Sequence, residues 1–362
     1  MPLLCYMNGK KLTMFNLDSP TSNQIDKLIT FSGWYIDSAQ YSDLIMYVNK
    51  KPYAQIDCNH LRKDVQDAHP NEKFSLISGW KTDFVVDKGF KNKSVLIQIY
   101  DNNSKKYLFE HRYECKSEYI PTKNKDMEHL FKDNSCTYFL DKPTFLSNNI
   151  LPIIRISEKT ATHQYSHHVM NLIQRQKNGL VLDFGCGNTP KKLLFENIIR
   201  QDVVLYENVD IIVNDTVLPY KDNTFDLIVS QAVFEHVQYP WEVIKELYRT
   251  LKKDGLIYID TAFMQPRHGD PHHFFNMTLD GLKTICEDFE EIDSGVNSYQ
   301  QLTDGFIMQM EALKPYINDP VIKEYFSGFS NYIAQNKHKI DDSVKGMGEY
   351  IIPAGVFFLG KK

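Results

Sequence analysis

The spacing of apolar positions changes character once along this chain. Up to about residue 115, short runs rich in β-branched and aromatic residues alternate with turn-forming polar clusters. Residues 31–37 (Phe-Ser-Gly-Trp-Tyr-Ile-Asp), 43–48, 84–86, 95–100 and 106–114 read as strands. Asn49-Lys50-Lys51-Pro52 and Asp101-Asn102-Asn103-Ser104 supply turns, the second a hairpin signal. The pattern predicts a small antiparallel β-sandwich over residues 1–120. Residues 121–152 are polar and broken by prolines, and read as a linker with room for one short helix. From residue 153 apolar strands alternate with amphipathic helices, the mark of an α/β domain running to residue 362.

The second region is organised around residues 180–190, Leu-Val-Leu-Asp-Phe-Gly-Cys-Gly-Asn-Thr-Pro. A buried strand ends here in a turn whose two glycines, Gly185 and Gly187, let a ligand lie against the main chain. A dinucleotide site wants a third glycine where this chain has Pro190, which argues against NAD or FAD. Asp183, before the first glycine, suits a ligand with a charged amino-acid end and no phosphate. The plain alternative is a strand-turn-helix in which Asp183 caps the turn.

The rest of the region follows in order. A helix is expected over 162–174, and another over 191–199 after the loop. A second strand over 197–201 ends at Asp202, 17 positions beyond Gly185 and near the ~20-residue interval at which an acidic side chain reaches a ribose. A third strand spans 209–213, with Asn214-Asp215 at its end, and a fourth spans 227–230. Residues 241–253 form an amphipathic helix with Trp241, Ile244, Leu247, Tyr248 and Leu251 on one side, ended by Asp254-Gly255. The fifth strand is 256–259.

Composition narrows the function. The net charge of −5 gives no reason to expect nucleic acid or an acidic membrane surface as partner. No stretch approaches the ~20 apolar residues that cross a bilayer, and residues 1–10 have no basic start followed by a long apolar segment, so a secretory signal is not expected. The six cysteines lack C-x-x-C spacing and read as reduced thiols, so a cytoplasmic location is expected. The first region holds no catalytic cluster. It is a docking or oligomerisation module, or it binds glycan through Trp34, Tyr35 or Trp80; Ser32-Gly33-Trp34 and Ser78-Gly79-Trp80 echo each other.

Val181-Leu182-Asp183-Phe184-Gly185-Cys186-Gly187, Leu218-Pro219, Asn223-Thr224-Phe225-Asp226, Phe234-Glu235-His236-Val237 and Leu251-Lys252-Lys253-Asp254-Gly255, in this order, resemble the class I S-adenosylmethionine-dependent methyltransferases. The segment from Phe263 to Thr278 is similar to a type 11-like branch associated with bacterial surface-glycan biosynthesis. The resemblance implies a Rossmann-like, seven-stranded sheet with a sixth strand in 287–296 and a last, antiparallel one in 351–359. It also implies that the long helical stretch 299–335 covers the substrate cleft or forms an interface.

The resemblance implies S-adenosylmethionine as cofactor. Gly185 and Gly187 then admit its amino-acid part and ribose, and Asp183 orients its ammonium. Asp202 takes the ribose hydroxyls, Asp215 faces the adenine amino group, and Gln231 lines the methionine side. His163 and Tyr165 close over the cofactor. Asp202 and Asp215 also read as an ordinary strand end and turn.

Methyl transfer to a sugar hydroxyl benefits from a general base, and His268 or His272 is the candidate. A divalent metal held by His268, Asp270, His272 and His273 is a less favoured route, and those histidines can also simply shape the pocket. His236 is expected to pack within the fold. The acceptor is a glycan, a nucleotide-linked sugar or another small metabolite. A non-catalytic scaffold working through the first region, alone or as a homo-oligomer or with a partner subunit, is the alternative from another class.

Overall fold

The structure, a computed structural model, describes residues 4–8, 11–37, 43–87, 89–118, 126–132, 137–146, 150–155, 164–176, 178–188, 197–268 and 272–362. Two compact units are present. The first comprises Met1–Asp126, Ser135–Thr162 and Asp202–Asp215; the second comprises Met127–Asn134, His163–Gln201 and Thr216–Lys362.

The first unit is strand-rich, as its pattern predicts. Nine strands hydrogen-bond side by side into one sheet. Its ends meet across a common core: Phe31 packs edge-on against Tyr113 at 5.4 Å, and the buried Tyr35 hydroxyl donates to Asp101 at 2.7 Å. Asn49 and Lys50 adopt left-handed φ values of 48° and 67°, closing a two-residue hairpin between Leu44–Val48 and Lys51–His60.

The two Ser-Gly-Trp echoes face each other. Gly33 pairs with Trp80 and Trp34 with Gly79 in one antiparallel ladder. Both tryptophans and Tyr35 are buried, at 9%, 1% and 1% exposure for Trp34, Trp80 and Tyr35. This corrects the expectation that these rings bind glycan: they are spent on the core and present no face to a sugar.

The expected linker is also corrected. Thr137–Phe139 and Lys142–Leu146 form a hairpin, closed by Leu140 and Asp141 in left-handed conformation. Its second strand runs parallel to Ile211–Asn214. Polar composition hid this hairpin, because short strands of this kind can pair through backbone while carrying few apolar side chains.

In the second unit six strands stand in one sheet: β1 (Val181–Phe184), β2 (Ile198–Asp202), β3 (Phe225–Gln231), β4 (Leu251–Ala262), β5 (Glu290–Gly295) and β6 (Gly355–Lys361). Their order is β2-β1-β3-β4-β6-β5. The first four run parallel, and β6 is antiparallel to both β4 and β5, as the resemblance implies. The expected third strand, Ile211–Asn214, counts with the first unit.

Helix α1 (His167–Arg175) is capped by Ser166, whose Oγ accepts from Val169 N at 3.2 Å. It buries Val169, Leu172 and Ile173 against Val181, Leu227 and Val229 of the sheet. Helix α2 (Pro240–Thr250) ends five residues before its expected glycine stop. Leu251 instead opens β4 and pairs with Phe225, and Leu256 pairs with Leu227. Asp254, at φ 64°, and Gly255 lie in the bulge between the buried Leu251 and the half-buried Leu256.

The expected helix 191–199 is shortened at its end, since Ile198 and Ile199 belong to β2, and residues 191–196 lie outside the described residues. The long helical stretch resolves into α4 (Leu302–Leu313), α5 (Pro320–Gln335) and α6 (Lys337–Ser343), which follow α3 (Leu279–Ile285). Asp319 caps α5 by accepting from Val321 N and Ile322 N. Helix α5 exposes Val321, Ile322, Tyr325, Phe329 and Tyr332. Among the described residues, no helix is long and apolar enough to cross a membrane.

Gly33 gives this architecture a direct test. A Cβ at that position would lie 2.0 Å from the Asn16 carbonyl oxygen and 2.9 Å from the Trp80 ring. Gly33→Ala is expected to cost about 2–3 kcal/mol of stability, read from urea unfolding of the full chain followed by tryptophan fluorescence.

Candidate functional site

The carboxyl ends of β1, β3 and β4 lie side by side, because these strands are parallel neighbours. Past β1 the chain turns through Gly185 and Gly187 at φ 72° and 63°, a region that a side chain would strain. Gly185 N and Cys186 N both donate to the Gln201 carbonyl, at 2.9 and 3.0 Å, which fixes the loop to the end of β2. A Cβ on Gly185 would stand 2.4 Å from the Val233 side chain, so the loop is also packed against the segment that follows β3.

Asp183 sits under this loop, 3% exposed, and accepts the Tyr165 hydroxyl at 2.6 Å. Burial, then the Asp183 charge, pushes the Tyr165 hydroxyl far above the ordinary tyrosine range, so it stays a donor. Two residues that the sequence assigns to the cofactor are thus joined directly. Gln231 ends β3: its Oε1 accepts from Ser166 N at 3.4 Å, and its Nε2 donates to Asp260 at 3.2 Å. It ties the cap of α1 to the end of β4.

Asp260 was missed by sequence reasoning. Near the end of β4 and 1% exposed, it accepts from Tyr299 at 2.8 Å, Ala232 N at 3.1 Å, Gln231 at 3.2 Å and Gln300 at 3.4 Å. Burial pushes its carboxyl up to about 6, with hydrogen bonds from Tyr299 and Gln231 opposing. Ala232 adopts φ 54° to bring its N–H there. The signal was present in Leu-Ile-Tyr-Ile-Asp, an apolar strand ending in aspartate as β1 does.

The other expected groups are placed differently. Asp202 is half-buried and accepts from Val204 N at 3.0 Å, the local turn contact of its alternative reading. Asp215 is half-buried just past Ile211–Asn214, and both aspartates count with the first unit. His163 and Asp270 lie outside the described residues.

The histidine segment docks on the turn Phe234–His236, through Phe274 N donating to the Glu235 carbonyl at 2.7 Å. His236 Nδ1 is hydrogen-bonded to the His272 carbonyl, so His236 does bond within the fold as expected. His268 is turned inward. Its Nδ1 donates to the Pro266 carbonyl at 3.1 Å, and its Nε2 stands 3.9 Å from Glu235 Oε1. Glu235 is fully buried; Oε2 accepts from Thr261 at 2.9 Å, whereas Oε1 has no hydrogen-bond partner. Burial raises the Glu235 carboxyl and lowers His268.

His272 is exposed, with its ring 5.6 Å from Phe274. Its crowded surroundings, and then the Arg267 charge, hold it below the usual histidine range. Phe274 is 41% exposed, and Tyr239 and Trp241, in contact with each other at the start of α2, are 42% and 47% exposed. Of the four residues of the metal cluster weighed from sequence, Asp270 lies outside the described residues, and His272 and His273 are not in the group that the described residues form. Glu235, His236 and His268 instead bring their ligand-capable atoms within 4.8 Å of one another.

Residues 182–259 match the family model of a methyltransferase domain. Among curated proteins, an uncharacterized protein from Methanocaldococcus jannaschii is 29% identical over 136 residues, covering 33% of this chain and 58% of that protein. A tRNA U34 carboxymethyltransferase from Cellvibrio japonicus is 28% identical over 115 residues, covering 26% of this chain and 36% of that one. The chain thus spans about half or less of the curated relatives it matches. A solved S-adenosylmethionine-dependent methyltransferase from Archaeoglobus fulgidus aligns over 54% of this chain and 91% of its own, at 16% identity and a TM-score of 0.30, too low to carry the fold.

Residues 182–259 are thus similar to a methyltransferase domain, and S-adenosylmethionine is the cofactor that the sequence resemblance implies. The residues at the carboxyl edge fit that molecule. The left-handed glycine turn offers bare backbone, and two buried carboxylates, Asp183 and Asp260, suit a ligand bearing ammonium and sulfonium charges.

The burial of Asp260 has a measurable consequence. Its folded value of about 6 exceeds the 3.8 of a free aspartate, so the folded state holds the proton more tightly. The stability this confers is complete below about pH 4 and is lost as pH rises through about 6. A shift of this size corresponds to about 3 kcal/mol. In urea unfolding at pH 4 and pH 7, the stability of wild type relative to Asp260→Asn is expected to fall by about that amount at the higher pH.

Proposed function

We propose that this chain transfers a methyl group from S-adenosylmethionine to a hydroxyl oxygen of a sugar, in a glycan or a nucleotide-linked sugar. One observation carries the reading: the glycine turn over Asp183 and the exposed His272 segment belong to the same carboxyl edge of one parallel sheet. Gly185 and Gly187 admit the cofactor to the main chain, and Asp183, held by Tyr165, draws its ammonium end. When bound, the cofactor supplies a methyl group already activated on a sulfonium centre, so the chain's own task is positioning, water exclusion and handling one proton.

His272 receives that proton. Of the two candidate bases, His268 is directed inward toward Glu235, while the His272 ring is exposed and, among the described residues, makes no hydrogen bond. Phe274 beside His272, with the exposed Trp241 packed on the neighbouring Phe275, supports a sugar acceptor, since exposed aromatic faces can hold the apolar face of a pyranose. These rings replace the buried tryptophans of the first unit in that role.

Calorimetry with S-adenosylhomocysteine tests the pocket. Wild type is expected to bind, and Gly185→Val to lose binding, because the added side chain drives into Val233. With a labelled methyl donor and nucleotide-sugar acceptors, His272→Ala is expected to keep cofactor affinity and lose about 100-fold or more in turnover. A folded wild type that does not bind S-adenosylhomocysteine would contradict the methyltransferase reading. Undiminished turnover in His272→Ala would remove this residue as the base.

A further inference from the structure

Glu235 Oε1 is a buried oxygen that, among the described residues, has no hydrogen-bond partner, on a side chain with no exposed surface. An ionised oxygen left in that state costs about 1–3 kcal/mol or more. Imidazoles stand close to it. His268 Nε2 stands 3.9 Å away, and ligand-capable atoms of Glu235, His236 and His268 all lie within 4.8 Å of one another.

We infer that Glu235, His236 and His268 form a binding site for a divalent first-row transition-metal ion of the zinc type. Two imidazole nitrogens and one carboxylate, with a further position open, is a donor set that such ions take. The orientation of the rings agrees. In His268 the Nδ1 side is tied to the Pro266 carbonyl, and in His236 Nδ1 is tied to the His272 carbonyl. In His268 the contact fixes a tautomer with the proton on Nδ1 and leaves Nε2, the atom that faces Glu235, to coordinate, and backbone carbonyls commonly hold metal-binding histidines in this way. His273, 3.2 Å from His268 Nδ1 and bonded through Nε2 to Asn276, braces the same ring from behind. Thr261 holds the other oxygen of Glu235 and leaves Oε1 directed at the histidines.

The distances are within reach of closure. Metal–nitrogen bonds of about 2.0–2.1 Å place tetrahedral ligand atoms about 3.4 Å apart. The widest pair must therefore close by at most about 1.4 Å, shared between two side chains. The pieces come from two places, the turn after β3 and the loop after β4, so an ion would also fasten the histidine segment to the sheet. An effect of the ion on acceptor binding or activation rests on the methyltransferase reading above; binding of the ion does not.

The test uses the untagged full chain stripped with chelator, titrated with Zn²⁺ in a calorimeter and with Co²⁺ by visible absorption. One Zn²⁺ per chain is expected, with Co²⁺ giving the d–d bands of a low-coordinate nitrogen–oxygen site. His268→Ala and Glu235→Gln are expected to weaken Zn²⁺ at least 100-fold, while His338→Ala, on α6, leaves it unchanged. Glu235→Gln keeps the volume and the Thr261 contact, and circular dichroism confirms that each variant is folded. S-adenosylhomocysteine binding to the same stripped chain separates failure of this site from failure of the methyltransferase reading. The inference is overturned if folded wild type takes up no stoichiometric Zn²⁺, if His268→Ala retains full affinity, or if His338→Ala abolishes uptake.

Discussion

Burying a carboxylate at the end of an apolar strand is the constraint on which the second unit turns. Removing such a charge from water costs several kcal/mol unless donors or cations compensate. Asp183, Asp260 and Glu235 are each at most 3% exposed, and all gather at the carboxyl edge of one sheet. Each recruits a different part of the chain. Asp183 takes Tyr165 from the segment before α1, Asp260 takes Tyr299 and Gln300 from the segment before α4, and Glu235 takes Thr261 from β4. Elements far apart in sequence are thereby drawn to the same edge, and Gln231 links two of these clusters through Ser166 and Asp260.

The arrangement stores negative charge where a cationic ligand is expected. A protein that only needed a stable sheet would gain little from three buried carboxylates, since apolar residues in their place are often as stable or more so. Their concentration beside a left-handed glycine turn is what a binding edge requires: bare backbone for close approach, and charge complementary to ammonium and sulfonium groups. The remaining oxygen of Glu235, without a hydrogen bond, belongs to the same logic and is the one place where the described residues leave it incomplete.

Much of this was legible in the sequence, for identifiable reasons. The glycine turn and the strands around it follow from local signals, apolar runs and turn residues, whereas the antiparallel β6 follows from the resemblance to class I methyltransferases. Tyr165 was assigned to the cofactor region beside Asp183, and the hydrogen bond that joins the two is one that spacing alone does not specify. What stayed hidden depends on tertiary pairing. The hairpin Thr137–Phe139 and Lys142–Leu146 lies in a polar stretch, and the bulge at 252–255 arises where Leu251 pairs with Phe225 and Leu256 with Leu227. The burial of Trp34 and Trp80 follows from the two Ser-Gly-Trp segments meeting in one ladder, which an echo in sequence does not reveal. Asp260 and Glu235 looked like ordinary acidic residues, because only the folded neighbourhood makes a carboxylate expensive.

Hydrogen–deuterium exchange with and without S-adenosylhomocysteine tests the central claim most directly, because it locates the ligand without presuming an acceptor. A ligand on the carboxyl edge predicts slowed exchange in peptides covering residues 183–188 and 231–236, with little change in the strands of the first unit. Slowed exchange confined to the first unit, or none anywhere at saturating ligand, would contradict the account.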